Sequence, residues 1–306
     1  MSSTAASPAP AGSTRGPFRL SIAVLAVTVL TIVKGALTTS TGSGLAFRDW
    51  PTSDGGLMPV RSYTTVPGFL EHFHRLSGLT IGLLSLALAI WLQAARLGDA
   101  RVRLCAWLGG CLILVQGIVG GTHVLQGLPV ITGVVHATLA QLTLAWFAWV
   151  AYQLSDRYRA TSPNLAVPPG TGRTLSIVTL GFFVLQTVLG AIARHSNSMH
   201  ALWTHAGHAL VVFLVGTIAT SFSMGKLGDT PGLKGVARSI VGGLMLQIAL
   251  GFVVLAIRPA AGKAPENVGN LVTASIISAH VVIGALLTLQ IAALAAHVFR
   301  ATRREP

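Results

Sequence analysis

Charged residues are scarce in this chain, and acidic ones are the scarcest. Only 9% of the 306 residues are charged, with 8 Asp and Glu against 21 Lys and Arg. A soluble domain usually carries about one quarter charged residues, so this composition excludes an ordinary soluble protein. The formal net charge of +13 does not indicate nucleic-acid binding either. The basic residues stand singly between apolar runs and form no patch with interleaved aromatic residues.

Cysteine is nearly absent, since Cys105 and Cys111 are the only two in the chain. They lie six residues apart in one apolar segment, which places them about 240° apart around a helix. Two such side chains cannot form a disulfide with each other. The sequence therefore predicts a fold without disulfide support.

Apolar residues are abundant, at 52% of the chain, and the mean hydropathy is +0.70. Runs of about 20 apolar residues are long enough to cross the hydrocarbon core of a bilayer. Eight such runs are predicted, at 18–38, 69–95, 104–123, 130–153, 174–193, 201–223, 238–257 and 271–297. The chain is therefore predicted to be an all-α integral membrane protein with eight transmembrane helices.

The distribution of Lys and Arg predicts the orientation. Fourteen of them fall in the two tails and in the connections on the same side of the membrane, against six on the other side and Lys34 inside the first span. Cytoplasmic segments are the ones enriched in basic residues. Both termini are therefore predicted to be cytoplasmic.

The eight spans also read as an internal duplication of four helices. The segment Val-Leu-Thr-Ile-Val-Lys-Gly-Ala at 29–36 matches Val-Leu-Gln-Thr-Val-Leu-Gly-Ala at 184–191. Because each half has an even number of spans, the halves run parallel. We predict two tandem pseudo-symmetric four-helix bundles. Their bounds are 18–153 and 174–297, with a cytoplasmic linker at 154–173, a disordered cytoplasmic tail at 1–17 and a second tail at 298–306.

Four histidines lie at matching depth in the even-numbered spans: His74, His136, His208 and His280. A lone imidazole in hydrocarbon is costly unless it is satisfied, and imidazole is a common axial ligand of heme iron. The pattern favours two bis-histidine heme sites, His74 with His136 and His208 with His280, near the outer ends of the helices. In the repeat His74 matches His208. His205 remains an alternative ligand because it precedes His208 by one turn.

Glu71 is the only carboxylate at the mouth of a span, one turn before His74. The corresponding place in the second half is predicted to be His205. With Arg75, Glu71 forms either a surface ion pair or, beside a heme, a proton donor or acceptor. Lys34 and Arg75 are predicted to pair with heme propionates.

Glutamines recur four residues before glycines in the odd-numbered spans, and interhelical hydrogen bonds are their expected role, with contact to a porphyrin edge as the alternative. They are Gln116, Gln186 and Gln247.

Several motifs together resemble the heme A synthase family. They are Gly35-Ala36-Leu37, Thr41-Gly42-Ser43-Gly44-Leu45, Asp49-Trp50-Pro51 and Glu71-x-x-His74-Arg75, followed by the later histidines. The resemblance covers nearly all of the chain after the N-terminal tail. It implies an oxidoreductase of the cell (plasma) membrane that oxidises the C8 methyl group of heme O to a formyl group by successive hydroxylations. The product, heme A, serves terminal oxidases.

Residue roles follow from this resemblance. Glu71 is the implied catalytic carboxylate, His74, His136 and Arg75 face the substrate heme, and His208 and His280 ligate a resident heme b. The implied partners are heme O, membrane lipid, a heme O synthase and an unidentified electron donor, and a homo-oligomer is left open.

Two departures from the family pattern concern the first outer loop and the sixth span. Many members carry a cysteine pair in that loop, where this chain has Phe47 and Ser53, and an arginine often follows the histidine that Ala209 follows here. The loop, roughly residues 39–68, is long enough to cover the N-terminal site. A bis-histidine transmembrane electron-transfer cytochrome and a heme-handling transporter or chaperone remain alternative functions.

Overall fold

Helices account for the architecture throughout the described residues. The computed structural model describes residues 13–164, 166–196, 198–257 and 271–303. The helices are α1 (Arg15–Ser40), α2 (Arg61–Thr64), α3 (Val66–Ala94), α4 (Ala100–Leu125), α5 (Val130–Leu154), α6 (Asp156–Ala160), α7 (Pro169–Ser196), α8 (Met199–Leu227), α9 (Leu233–Ile257) and α10 (Leu271–Ala301). All except α2 and α6 contain a segment long and apolar enough to cross a membrane. The predicted all-α, eight-span membrane fold is confirmed.

Most helices extend a few residues past the predicted apolar runs because polar residues continue them to a cap. Thr65 begins α3, where its hydroxyl accepts a hydrogen bond from the Gly68 N–H at 3.2 Å. Asp99 caps α4 by accepting from the Val102 N–H at 2.8 Å. Apolar content alone does not register such polar ends. The helix α1 begins at Arg15, inside the predicted tail 1–17, of which residues 1–12 lie outside the described part.

The centre of the molecule is α10, which packs against α1, α5, α7 and α9. One cluster of buried apolar side chains forms mainly between α1, α3, α4 and α5 and includes Leu88 and Phe147. A second forms among the later helices and includes Leu244 and Leu294. Two cores of this kind agree with the predicted grouping of the spans in fours. Large apolar side chains such as Phe252 remain exposed, as a lipid-facing surface requires.

The two ends of the bundle differ in chemistry. At one end α1, α4, α7 and α9 finish while α3, α5, α8 and α10 begin, and we call it the histidine end. At the opposite end basic side chains join neighbouring segments. Arg173 of α7, for example, donates to the Thr302 hydroxyl at 3.1 Å and to the Thr302 carbonyl at 2.9 Å.

Candidate functional site

Two histidine pairs of equal geometry lie at the histidine end. The ring centres of His74 and His136 are 6.3 Å apart with an interplanar angle of 79°, and His205 and His280 show the same two values. A ligating imidazole nitrogen lies about 2.0–2.1 Å from a transition-metal ion, and adding roughly 1.2 Å from nitrogen to ring centre puts two imidazoles on opposite sides of one ion about 6.4 Å apart. Each pair therefore has the separation required for axial ligation of one iron.

The second pair contains His205 and not the predicted His208. Nδ1 of His74 donates to the Thr31 carbonyl at 3.1 Å, and Nδ1 of His205 donates to the Gln186 carbonyl at 3.2 Å. Thr31 and Gln186 are matched positions in the repeated segments 29–36 and 184–191. His205 is therefore the structural counterpart of His74.

His208 has a different environment, one turn further along α8. Its ring stacks on Phe182 with a centre distance of 5.6 Å, and its Nδ1 lies 2.7 Å from Oε1 of Gln186. The predicted match of His74 with His208 is thus wrong by one turn. The match of Glu71 with His205 is wrong for the same reason, because the position one turn before His205 is Leu202.

The carbonyl bonds also set the tautomer of the two imidazoles. A carbonyl can only accept, so Nδ1 of His74 and of His205 carries the proton and Nε2 keeps its lone pair. Metal-ligating histidines commonly donate their other nitrogen in this way. On the facing helices, Nδ1 of His136 and of His280 is buried without a hydrogen-bond partner among the described residues. These unsatisfied nitrogens are expected of a site built for a further group.

Glycines on the odd-numbered spans leave the room that the imidazoles occupy. A Cβ atom placed on Gly35, Gly120 or Gly190 would lie 2.7, 2.7 and 2.8 Å from Cε1 of His74, His136 and His205, respectively. At Gly251, which faces His280, the corresponding distance is 3.3 Å. Each ring therefore lies directly against the backbone of a neighbouring helix, so the glycines determine how deeply each histidine can sit.

Gly120→Ala should displace His136, because the new methyl group would overlap the imidazole. Alanine favours a helix by about 1 kcal/mol over glycine, so the substitution should not weaken the helix itself. A loss of heme binding would therefore indicate the clash with His136. We expect at least tenfold weaker heme binding at the His74–His136 pair, measured by optical titration of the purified protein. Gly117→Ala on the same helix is the matched control, since nothing lies within 4 Å of its added Cβ. Equal binding by both variants would contradict the proposed packing role.

His123 and His195 form a third pair at this end, with ring centres 6.0 Å apart and an interplanar angle of 86°. Within the described residues no cluster of three or more His, Cys, Asp or Glu side chains is suited to hold a metal ion. Two protein ligands are too few for a structural zinc site, which needs four, but they suit an iron that a porphyrin already holds.

The three glutamines contact the histidine-bearing helices. Nε2 of Gln116 donates to the His136 carbonyl at 2.9 Å, and Nε2 of Gln186 donates to the His205 carbonyl at 3.0 Å. Nε2 of Gln247 lies 3.2 Å from Nε2 of His280. The predicted interhelical hydrogen bonds are confirmed.

Glu71 and Arg75 form a buried pair that holds the first loop. Glu71 is 3% exposed, and its two oxygens accept from the Arg75 guanidinium and, at 3.0 Å, from the Phe47 N–H. Arg75 also donates to the carbonyls of Phe47 at 3.0 Å, Asp49 at 2.7 Å and Thr52 at 2.6 Å. The alternative of a surface ion pair is therefore wrong. The pair fastens the loop that begins after α1 to the start of α3, one turn from His74.

The loop itself is compact. Asp49 accepts from the Thr52 hydroxyl and from the N–H groups of Asp54 and Gly55 at 2.7–2.9 Å. Burial opposes ionisation, but these hydrogen bonds outweigh it and lower the pKa of Asp49 to about 2. Trp50 lies against the backbone of Gly121 on α4, where a Cβ would be 2.4 Å from the indole ring. The loop thus reaches across the histidine end from α1 to α4.

Phe47 and Ser53, where family members carry cysteines, are both buried. Phe47 is fully buried, with the guanidinium of Arg61 5.0 Å from its ring centre. The Ser53 hydroxyl lies 3.0 Å from Nδ1 of His72. Aromatic packing and hydrogen bonds therefore hold the segment that a disulfide would otherwise tie.

The two predicted propionate partners are engaged with the protein. Nζ of Lys34 donates to the Ser77 hydroxyl at 2.8 Å and to the Phe73 carbonyl at 3.3 Å, and Arg75 binds Glu71 and the loop as described. Pairing of either residue with a propionate stays a prediction, and it would require giving up some of these bonds.

Comparison with known proteins agrees with this geometry. The heme A synthase of Symbiobacterium thermophilum is 28% identical over 211 residues, 67% of this chain and 68% of that protein. That of Bacillus licheniformis is 28% identical over 172 residues, 55% of each chain, and that of Methylobacterium sp. is 32% identical over 142 residues, 42% of this chain and 39% of the relative. This chain thus spans little more than half of the second relative and less of the third.

A family model described as COX15-CtaA, cytochrome oxidase assembly protein, matches residues 18–207. That region contains Glu71, Arg75, the first histidine pair and His205, and it is more than half of the chain. The chain is therefore a multi-pass membrane protein that belongs to the COX15-CtaA family of cytochrome oxidase assembly proteins.

Proposed function

We propose that this protein is a heme A synthase, an oxidoreductase that converts the C8 methyl group of heme O to a formyl group by successive hydroxylations. The observation that carries the proposal is the pair of equal histidine sites, of which only the first has a buried carboxylate next to it among the described residues. The family relationship and the relatives named heme A synthase support it. The first site would take the substrate heme and the second a resident cofactor.

The substrate site is assigned to the first four spans. His74 and His136 would ligate the iron of heme O, which fixes the porphyrin relative to Glu71 one turn away on α3. Two hydroxylations of the methyl group followed by loss of water transfer four electrons to an external oxidant and move protons as well, so a carboxylate beside the reacting group can act as proton donor or acceptor. Arg75 and the Phe47 N–H hold that carboxylate in place. The loop over the site limits access of water.

The resident heme b is assigned to His205 and His280. The tautomer inferred for His205 and the ring separation support this assignment. When bound, heme b supplies a one-electron carrier beside the substrate site. The protein's part is to hold the imidazoles through the Gln186 carbonyl and the Gly190 backbone. In the second half Leu202 occupies the position that matches Glu71, so this position cannot exchange protons there.

The orientation is part of the proposal. The histidine end is assigned to the outer face of the plasma membrane and both termini to the cytoplasm, because most basic residues then lie inside. The electron donor and the heme O synthase that supplies substrate would be partners.

Analysis of extracted hemes tests the function. The protein is expressed with a source of heme O in a host without its own heme A synthase, and hemes from the membranes are separated by reverse-phase chromatography. We expect a formyl-bearing heme that is absent from the empty-vector control. Recovery of protoheme alone would favour an electron-transfer cytochrome, and recovery of bound, unchanged heme O would favour a carrier. Either result would overturn the synthase assignment.

A further inference from the structure

Arg194 is a basic residue at the histidine end with only neutral partners among the described residues. Its Nη2 donates to the Ala36 carbonyl and to the Ser40 hydroxyl of α1, both at 2.8 Å. The Ser40 hydroxyl is in turn 3.2 Å from the Ser278 hydroxyl of α10. The ion pairs found in the described part of the chain are Arg61–Asp54, Arg75–Glu71 and Arg159–Asp156. The charge of Arg194 is therefore partly buried between three helices without a matching carboxylate there.

Its position relates it to both histidine pairs. Arg194 lies one turn beyond Gly190, which faces His205, and it binds the carbonyl of the residue after Gly35, which faces His74. The guanidinium thus lies at the histidine end, one turn beyond the glycine that faces His205.

The acceptors on α1 use only some of the N–H groups of the Arg194 guanidinium. Arginine carries five N–H groups, and both of the acceptors found on α1 are reached by Nη2 alone. By contrast, Arg75 is already paired with Glu71. A carboxylate placed beside Nη1 and Nε would accept charge-assisted hydrogen bonds from both nitrogens. Such bonds are roughly twice as strong as those between neutral groups. It would also remove the cost of an uncompensated buried cation.

We propose that Arg194 binds a propionate carboxylate of the heme held by His205 and His280. The inference rests on the heme assignment under the proposed function and adds the residue that recognises the anionic edge of the porphyrin. A porphyrin ligated by these two histidines carries its only negative charges on the propionates. Among the described residues at this end, Arg194 is a cation that no carboxylate pairs, and it is placed to meet one of them.

A comparison of two ligands isolates that contact. Heme b and its dimethyl ester, in which both propionates are neutral, are titrated into the detergent-purified full-length protein. All proteins also carry His74→Ala and His136→Ala, so that only the second pair ligates iron. We expect Arg194→Gln to weaken binding of heme b at least tenfold and to leave binding of the ester unchanged. Arg194→Lys keeps the charge but loses the planar guanidinium. Its affinity for heme b should lie between those of the parent and of Arg194→Gln.

Arg173→Gln is the matched control. Arg173 lies on the same helix at the opposite end and also donates to one hydroxyl and one carbonyl. Arg173→Gln should change neither the affinity for heme b nor that for the dimethyl ester. If Arg194→Gln weakens heme b and the ester equally, Arg194 only holds helices together and the inference is overturned, as it is if neither affinity changes. If the parent with Arg194 intact binds no low-spin heme at all, the assignment of the second heme site fails instead.

Discussion

Glu71→Gln is expected to lower heme A formation by about a hundredfold or more while leaving the resident heme in place. Loss of a general acid-base group typically costs 10²–10⁴ in rate. The amide is nearly isosteric with the carboxylate, and its oxygen can still accept from the Phe47 N–H. The measurement is the heme A to heme O ratio in membranes that contain equal amounts of protein. A hydroxylated intermediate should accumulate if proton removal fails late in the reaction.

A structural role of Glu71 predicts a different outcome. The pair with Arg75 holds the first loop, so loosening of that loop could also lower activity. Trypsin cleavage after the exposed Arg48 reports whether the loop has opened, and Glu71→Asp keeps the charge with a shorter side chain. A closed loop in Glu71→Gln together with partial activity in Glu71→Asp supports proton transfer. Equal heme A yields from Glu71→Gln and wild type would reduce Glu71 to a partner of Arg75.

Replacement of His205 or His280 by alanine should remove most of the heme b from the purified protein. Changes to groups that merely support a metal ligand commonly cost about 10–100-fold in metal affinity, so removal of a ligand should cost at least that. The low-spin spectrum of bis-histidine heme should disappear with it. Heme content per protein and the reduced optical spectrum provide the measurement.

His208→Ala is the control within the same helix. Its ring contacts Phe182 and Gln186, and its loss should leave the His205–His280 heme bound. His74→Ala should affect only the site in the first four spans. Retention of heme in His205→Ala with loss in His208→Ala would restore the ligand predicted from the sequence and would show that the ring separation is misleading.

The number and placement of the spans follow from the sequence because burial in lipid demands long apolar helices. The pairing of His74 with His136 also follows, since both lie at the same depth. The choice between His205 and His208 does not follow from periodicity, because residues three apart share one helix face. The spacing of matched residues in the two halves does distinguish them, however. The interval from Gln116 to Gln247 equals that from His74 to His205, so an ungapped alignment of the second and third spans with the sixth and seventh would have matched His74 with His205.

The first loop was predictable only in its length. Nothing periodic indicates that Phe47 would be buried or that its peptide group would meet both Glu71 and Arg75. The roles of Lys34 and Arg194 likewise depend on which carbonyls a neighbouring helix presents. Contacts of this kind arise from tertiary packing, which a single sequence does not encode in any local pattern.

The buried Phe47 and Ser53 have a consequence for where the protein can mature. The loop is held by the buried Phe47 ring, the Arg75 guanidinium and backbone hydrogen bonds. It therefore needs no oxidant to form and no reductant to unfold. Its closure is indifferent to the thiol-disulfide balance of the surroundings, because the two cysteines of the chain, Cys105 and Cys111, are free and lie on α4 away from the loop. Folding of this end of the protein therefore does not depend on disulfide formation.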